Sequence, residues 1–249
     1  MNDFSDRRAP PRLFCETPLS AGAKVELSER ASKHVQALRL RVGDALTLFC
    51  GDGSEWDATL SSMFKRGMEA AVGVQKTIER ESPLQVHLLQ GICAGDRMDL
   101  IVQKATELGV TSIQPLVTTR SIVRLSSERQ EKRETHWQNV AIAACEQCGR
   151  NRIPLIHPSL ALNTYLGGMS GSGFRILLSP EGAKRLRELN PPTTPVFMLI
   201  GPEGGLSGGE EDLVLKLGFV AVNVGPRVLR TETAPLAALA AMQAFWGDS

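Results

Sequence analysis

The stretch that decides the fold class reads VFMLIGPEGGLSGGEEDLVLKLGFVAVNVGPR and covers residues 196–227. An apolar run at 196–200 is followed by a glycine-rich loop, and a second apolar run lies at 219–224. Between them, SGGE at 207–210 places a serine at an N-cap and a glutamate three residues later, which is the capping box that begins a helix. A strand, a helix and a strand in this order predict two parallel strands joined by a crossover helix.

The same alternation extends through the second part of the chain, residues 79–249. Strand patterns lie at 85–92, 111–117 and 174–178, and helix patterns at 96–108, 128–148 and 235–246. Such alternation predicts an α/β domain with a mostly parallel sheet covered on both faces. We expect Thr233 to cap the last helix, which is apolar on nearly all sides. That helix must therefore be buried between other elements, and a subunit interface is one way to bury it.

The first part of the chain, residues 1–78, has a different pattern. Residues 1–11 are polar and end in two prolines, which is typical of a disordered arm. Short strand patterns follow at 12–15, 24–27, 45–50, 56–60 and 68–74. One helix interrupts them, marked by the spacing of Ala31, His34, Val35 and Leu38. This arrangement predicts a small β-barrel domain, and the polar segment 79–83, which ends in proline, is the best linker candidate.

Composition limits the possible functions. The 249 residues include 28 basic and 27 acidic side chains, for a net charge of +1, which excludes a uniformly basic nucleic-acid coat. No apolar run approaches the ~18 residues of a membrane helix, so we expect no membrane span. The N-terminus lacks the apolar core of a signal peptide, and we therefore expect a cytoplasmic protein.

Three predicted strands end in similar turns: SPEG at 179–182, GPEGG at 201–205 and GPR at 225–227. The carboxyl ends of parallel strands meet at one edge of a sheet, where α/β folds bind ligands. The glycine spacing fits neither GxGxxG nor GxxxxGK[ST], and Glu203 would repel a polyphosphate. A neutral or cationic nucleoside such as S-adenosylmethionine suits these turns better. Three ordinary strand-to-helix turns remain the alternative.

Cys145 and Cys148 form a CxxC pattern that must be weighed as a zinc or redox site. There is no second CxxC, and both sulfurs lie on the apolar stripe of the helix pattern at 128–148. We therefore interpret them as core thiols and predict no metal. Glu146 and Arg150, four residues apart, are expected to pair with each other.

Several motifs resemble the RsmE family, the 16S rRNA (uracil-N3)-methyltransferases of the SPOUT class. IGPEGGLS at 200–207 and VGPRVLRTETA at 224–234 carry the resemblance. It extends along the chain through RLF (12–14), HVQALRLRVGD (34–44), QKATELGV (103–110), PLVTTRS (115–121) and AACEQCGRNRIP (143–154). The resemblance implies a PUA-like barrel, a SPOUT domain with a trefoil knot, an antiparallel homodimer, S-adenosylmethionine as cofactor, and 16S rRNA of the 30S subunit as substrate at position 1498.

The resemblance also assigns residues to the cofactor pocket, at the same three strand ends. They are Leu178, Ser179, Ile200, Gly201, Pro202, Glu203, Gly204, Gly205, Val224, Gly225, Val228, Leu229, Arg230, Thr231, Thr233 and Ala234.

Three of the residues in these loops are catalytic candidates. Arg230 is expected to order the pocket and to contact the target base or a phosphate. Glu203 and Glu232 are candidates for favouring the sulfonium or for accepting the N3 proton of uracil, and the identity of the base stays open. Helix-N-terminal carboxylates without a catalytic role are the alternative for both.

RNA contacts are expected from local clusters of basic side chains, because phosphate binding needs positive charge on one surface. The candidates are Arg8, Arg12, His34, Arg39, Arg41, Arg120, Arg150 and Arg152. A solvated face is the alternative, and for any one cluster alone it is the preferred interpretation. Two other functions stay open: a SPOUT methyltransferase with another RNA target, such as a tRNA ribose oxygen, and a non-catalytic ribosome-assembly factor.

Overall fold

A computed structural model describes residues 9–65, 67–121 and 127–249 of the chain. It divides into two compact units. The first contains the described residues up to Glu81 together with Cys145–Ile153, and the second contains the described residues of Ser82–Ala144 and Pro154–Ser249. The sequence predicts a single domain boundary between residues 78 and 79. It does not predict that residues 145–153 belong to the first unit.

The first unit contains a five-stranded sheet and one helix. Its elements are β1 (Arg12–Phe14), β2 (Lys24–Glu26), α1 (Glu29–Ala37), β3 (Ala45–Phe49), β4 (Ser54–Phe64) and β5 (Gly67–Thr77). The sheet order is β1-β3-β4-β5-β2; β1 runs parallel to β3, and every other pair is antiparallel. One apolar core collects side chains from all five strands and from α1. The five predicted strands and the helix are confirmed.

The second unit is built on a parallel sheet. In chain order its elements are β6 (Val86–Gly91), α2 (Arg97–Glu107), β7 (Ser112–Val117), α3 (Ser127–Cys148), β8 (Leu155–Ile156), β9 (Leu160–Ala161), α4 (Leu162–Gly168), β10 (Phe174–Leu178), β11 (Lys184–Arg185), a 3₁₀ turn (Leu186–Glu188), β12 (Val196–Ile200), α5 (Gly208–Lys216), β13 (Val220–Asn223) and α6 (Thr233–Trp246). The last four residues of α3 belong to the first unit.

The strand order in this second sheet is β11-β13-β10-β12-β6-β7-β8, and β9 also pairs with β7. Every strand pair is parallel. The predicted α/β class is therefore confirmed. The carboxyl ends of β13, β10, β12 and β6, four neighbours in the sheet, lie along one edge. The trefoil knot that the family resemblance implies stays a prediction.

The predicted pairing of Glu146 with Arg150 is wrong. The Glu146 carboxylate is 4% exposed and accepts hydrogen bonds from Nη1 and Nη2 of Arg30, each at 2.8 Å. It also accepts the Phe14 backbone N–H at 2.9 Å. Arg150 instead donates to Glu81 at 2.5 Å. Buried charges need several hydrogen bonds, and here the partners come from distant segments rather than from the same helix.

Helix α6 begins one residue earlier than the sequence predicts: Glu232 occupies the N-cap and Thr233 the first helical position. Pro235 still lies in the first turn, where its missing N–H costs no hydrogen bond. One face of α6 is buried, through Ala238 and Met242, whereas Phe245 is 54% exposed. The apolar sequence of α6 is therefore only partly covered within one chain.

The interpretation as core thiols is supported for Cys145, whereas Cys148 is only half-buried. All five lie among the described residues and are free. Cys145 is buried, and its burial raises the pKa of the thiol to about 12. Across residues 9–65, 67–121 and 127–249, no group of three His, Cys, Asp or Glu side chains is placed to hold a metal ion. None of the described helices is long and apolar enough to cross a bilayer.

Candidate functional site

A cavity of about 290 Å³ lies at the carboxyl ends of β10, β12 and β13. Every residue assigned to the cofactor pocket from the sequence lines this cavity, except Arg230 and Thr233. Four lining residues were not anticipated: Pro180, Val222, Asn223 and Arg227. The three turns therefore come together as predicted.

Glycines let the second turn fold back on itself. A Cβ on Gly201 would lie 2.8 Å from the carbonyl carbon of Gly205, so no side chain fits there. Gly205 has a φ of +68°, which glycine adopts without steric cost. The turn is closed by a hydrogen bond from the Gly205 N–H to the Pro202 carbonyl at 2.9 Å. The cavity wall at this turn is consequently made of backbone.

Asn223, the last residue of β13, joins two of the turns. Its Nδ2 donates to the Gly182 carbonyl at 2.6 Å, and its Oδ1 accepts the Gly225 N–H at 3.2 Å. A Cβ on Gly182 would lie 2.6 Å from the Val222 carbonyl carbon, so the first turn lies directly against β13. The sequence signal that could have identified Asn223 is its position at the end of a predicted strand. The similarity among the three turns does not include this residue.

A fourth strand end completes the site. β6 ends at Gly91, where a Cβ would lie 2.5 Å from the Pro202 nitrogen. The Ala94 N–H donates to Glu203 Oε1 at 2.8 Å, and Arg97 Nη1 donates to the same oxygen. Sequence reasoning identified this strand but not the segment after it. The available signal was the strand-end rule itself, because β6 pairs in parallel with β12.

The Glu203 carboxylate is ionised and held in place. Burial alone would raise the pKa of Glu203, but the hydrogen bonds from the Ala94 N–H and from Arg97 outweigh it and hold the pKa below its usual range. Glu203 is consequently a weak base at neutral pH. Its charge gives the wall of the cavity a fixed anion.

Glu232 lies on the other side of Arg97. Its Oε2 is 3.7 Å from Arg97 Nε, and its Oε1 is 4.0 Å from Arg230 Nη1. Among the described residues, no donor lies within hydrogen-bond distance of the Glu232 carboxylate. The Arg230 side chain is 83% exposed, and it does not line the cavity. Arg97 therefore lies between two carboxylates that follow different strands.

Thr231 connects the third loop to the second. Its hydroxyl donates to the Gly201 carbonyl at 3.0 Å and lies 3.4 Å from the sulfur of Cys93. Burial raises the pKa of the Cys93 thiol to about 11. Cys93 is therefore protonated at neutral pH and is no thiolate nucleophile.

Arg120 also belongs to this site. It is exposed, and its Nη1 donates to the Gly204 carbonyl at 2.8 Å. The neighbouring Thr119 N–H donates to Glu210 at 2.8 Å. Glu210 in turn forms the predicted capping box with Ser207. The loop after β7 thus supports the second turn from outside the cavity.

The other RNA-contact candidates differ in their surroundings. Arg12 and Arg150 are largely buried, with side chains 14% and 7% exposed, and they pair with Glu55 and Glu81. These contacts explain both arginines as structural residues. The remaining described candidates of the first unit are the exposed Arg39, Arg41 and Arg152 and the half-buried His34. Arg8 lies outside the described residues.

Comparisons with known proteins agree along nearly the whole chain. The RNA methyltransferase domain family matches residues 80–243, and the RNA methyltransferase PUA domain family matches residues 27–71. Ribosomal RNA small subunit methyltransferase E of Buchnera aphidicola subsp. Schizaphis graminum is 31% identical over 96% of this chain and 97% of that protein. The protein of the same name from Bacillus subtilis is 31% identical over 84% of each chain.

A solved structure is similar over the same length. The crystal structure of a ribosomal RNA small subunit methyltransferase E from Neisseria gonorrhoeae, bound to S-adenosyl methionine, has a TM-score of 0.93 and 42% identity to this chain. The match covers 96% of this chain and 99% of that chain. Both units of the fold are therefore included in the similarity.

Proposed function

The chain belongs to the family of ribosomal RNA small subunit methyltransferase E, and on this premise we propose that it methylates N3 of a uridine in 16S rRNA. S-adenosylmethionine is the methyl donor, and the uridine is the one at position 1498 that the family resemblance implies. The observation that carries the proposal is the cavity itself. It is formed by the motif residues of three strand ends, in a chain 42% identical to a protein crystallised with this cofactor.

The residues of the cavity fit S-adenosylmethionine. Aliphatic side chains such as Leu178, Ile200 and Leu229 line it and suit an adenine ring. Backbone at Gly201 and Gly205 allows close approach of a ligand. The ionised Glu203 suits a sulfonium cation, and residues 200–207 contain no lysine that a polyphosphate would need. When bound, the cofactor supplies an electrophilic methyl group.

The chain itself must hold the base in line and remove its N3 proton, because protonated uracil N3 is a poor nucleophile. Glu203 is already engaged by the Ala94 N–H and by Arg97. Glu232 is 14% exposed and flanked by Arg97 and Arg230. We therefore assign proton acceptance to the Glu232 carboxylate, while N3 takes the methyl group. Orientation of the two reactants supplies much of the rate.

RNA binding is assigned to the exposed basic side chains. Arg39, Arg41 and Arg152 are exposed in the first unit, part of which matches a PUA domain of RNA methyltransferases. Arg120 is exposed in the second unit, beside the Gly204 carbonyl. We assign these four to phosphate contacts, in preference to the ion-paired Arg12 and Arg150. Because the substrate is ribosomal RNA, we place the reaction in the cytoplasm.

A second copy of the chain is proposed to cover α6. A groove beside the cofactor cavity combines Leu186 and Pro226 with Ala237, Ala241 and Phe245 of α6. Val224, Gly225 and Arg227 line both the groove and the cofactor cavity. The apolar face of a helix is most stable when it is covered, and a homodimer covers it.

The homodimer is tested by its mass. We expect light scattering at micromolar concentration to give twice the mass of the chain, and Phe245→Glu to give the monomer because a charge would enter the apolar contact. Leu155→Glu, at an exposed leucine on β8, is the control and is expected to remain dimeric. A wild-type protein with the mass of a single chain would contradict the proposed dimer.

The function is tested by nucleoside analysis. Labelled S-adenosylmethionine is incubated with the protein and with unmodified 30S particles, naked 16S rRNA or tRNA, and the nucleosides are then identified by mass spectrometry. We expect 3-methyluridine from the small-subunit RNA. A methylated ribose, or label in tRNA alone, would show a different RNA target. Absence of cofactor binding in calorimetry would favour an assembly factor.

A further inference from the structure

Arg97, the first residue of α2, contacts two of the loops around the cavity from outside it. It follows the end of β6 by a few residues, and it donates through Nη1 to Glu203 in the loop after β12. Through Nε it lies 3.7 Å from Glu232 in the loop that precedes α6. Both carboxylates are partly buried, at 21% and 14% exposure, so solvent screens these contacts only in part.

We propose that Arg97 is a positioning residue, which holds the Glu203 loop and the Glu232 loop at the separation that cofactor binding and methyl transfer require. The inference rests on the proposed function for its reaction and on the contacts of the cavity for its geometry. Arg97 does not line the cavity and acts through the two carboxylates.

The chemistry of the guanidinium suits this task. It is planar and presents nitrogens in different directions, so Nη1 and Nε serve two partners at once. A lysine ammonium is a single point charge, and it can retain one partner or lie between them without the same geometry. Glu203 also accepts the Ala94 N–H, which attaches the start of α2 to the loop a second time. The loop after β12 is therefore held by two hydrogen bonds, from Arg97 at the start of α2 and from Ala94 just before it.

Without Arg97 the local charge is unbalanced. Both Glu203 and Glu232 act on the pKa of the buried Cys93 thiol, so both carboxylates lie near it. Arg230 would still lie 4.0 Å from Glu232, and the Ala94 N–H would still donate to Glu203. Loss of the Arg97 hydrogen bond and charge lets the pKa of Glu203 rise, because both hold it below its usual range. Removal of Arg97 should therefore both separate the loops and move the acidic limb of the activity profile to higher pH.

The experiment compares Arg97→Met, Arg97→Lys and Lys104→Met in the full-length protein. Lys104 lies on the same helix and is 41% exposed where Arg97 is 43% exposed; among the described residues it pairs with Glu107 alone. Lys104→Met therefore removes an equal charge of similar exposure without touching the cavity. The measurements are the S-adenosylmethionine Kd by calorimetry, kcat and KM on 30S particles from pH 5 to pH 9, and the salt dependence of KM.

For Arg97→Met we expect about tenfold weaker cofactor binding and about 100-fold lower kcat, since a displacement of about 1 Å costs this much. The acidic limb should move to higher pH, Arg97→Lys should recover part of both losses, and Lys104→Met should match wild type. Equal values for Arg97→Met and Lys104→Met would overturn the proposal. Unchanged cofactor affinity with a raised KM and a weaker salt dependence would also overturn it, by making Arg97 an RNA contact.

Failure of the proposed function is separately visible. A wild-type protein that binds the cofactor but methylates no ribosomal RNA contradicts the proposed reaction. In that case the positioning role is still tested by comparing the S-adenosylmethionine Kd of Arg97→Met with that of Lys104→Met.

Discussion

Replacing Gly91 with alanine is expected to weaken S-adenosylmethionine binding by about 100-fold or more. The added Cβ would lie 2.5 Å from the nitrogen and 2.6 Å from the Cδ of Pro202, and 2.8 Å from the carbonyl carbon of Gly201. These atoms belong to backbone or to a rigid ring, so the clash cannot be relieved by a side-chain rotation. The GPEGG turn must move by about 1 Å, and displacements of this size in a binding site cost about two orders of magnitude.

The position also has no room on the strand side. β6 and β12 are paired in register, with Gln90 opposite Ile200, so Gly91 cannot retreat without breaking the parallel ladder. Overpacking of this kind costs about 1–3 kcal/mol of stability as well. The variant is therefore expected to fold with a lower melting temperature and to lose the cofactor site first.

The matched control is Gly208→Ala, at the start of α5, where an added Cβ meets nothing within 4 Å. Calorimetry should give this variant wild-type affinity. Gly204→Ala is expected to cause a smaller displacement of the same turn, because its Cβ would lie 3.3 Å from the Arg120 side chain. This variant replaces Gly91→Ala in the test if Gly91→Ala does not fold. Binding by a folded Gly91→Ala protein within threefold of wild type would refute the steric argument.

The sequence predicted three walls of the cavity, and these share one property. Each has a glycine-proline or serine-proline turn directly after an apolar run. Strand periodicity and the strand-end rule are local in sequence and suffice for such a prediction. The structure accordingly contains nearly all the residues assigned from 178 to 234 in one cavity.

The segment that supports the second turn from outside the cavity could not be found in the same way. The segment after β6 has no proline turn, and its place beside β12 depends on the order of strands in the sheet, which sequence patterns do not specify. Arg97 and Ala94 matter only because that order places them against Glu203. These two residues were missed because their partner, Glu203, lies more than 100 positions away in the sequence.

The Glu146 prediction failed for a related reason. Spacing of four residues on a helix brings Glu146 near Arg150, and in an isolated helix such a pair is worth a few tenths of a kcal/mol. In the structure Glu146 pairs with Arg30, which lies 116 positions away. Arg30 donates two hydrogen bonds to the buried Glu146 carboxylate. Burial strengthens such contacts, and the burial of Glu146 is a property of the packed unit rather than of the helix.

Replacing Arg230 with alanine is expected to lower kcat/KM on 30S particles by about 100-fold while leaving stability and cofactor affinity close to wild type. The side chain is 83% exposed and 4.0 Å from Glu232, so the folded protein gains little from it. It extends from the third loop of the site, next to the carboxylate to which we assign the N3 proton. An exposed guanidinium at this position is available to the substrate, where it would orient the base or a phosphate.

The control is Arg129→Ala on α3, which removes another exposed arginine from the same unit. An arginine that only attracts RNA would raise KM and reduce the salt dependence of binding by about one charge, with kcat unchanged. An arginine that orders the reacting base lowers kcat as well, because its contact is strongest in the transition state. Arg129→Ala is expected to keep wild-type kcat, and Arg230→Ala is expected to lose it. A normal kcat for Arg230→Ala at saturating RNA would reduce Arg230 to a phosphate contact and leave the orientation of uracil to Glu232 and the backbone of the three turns.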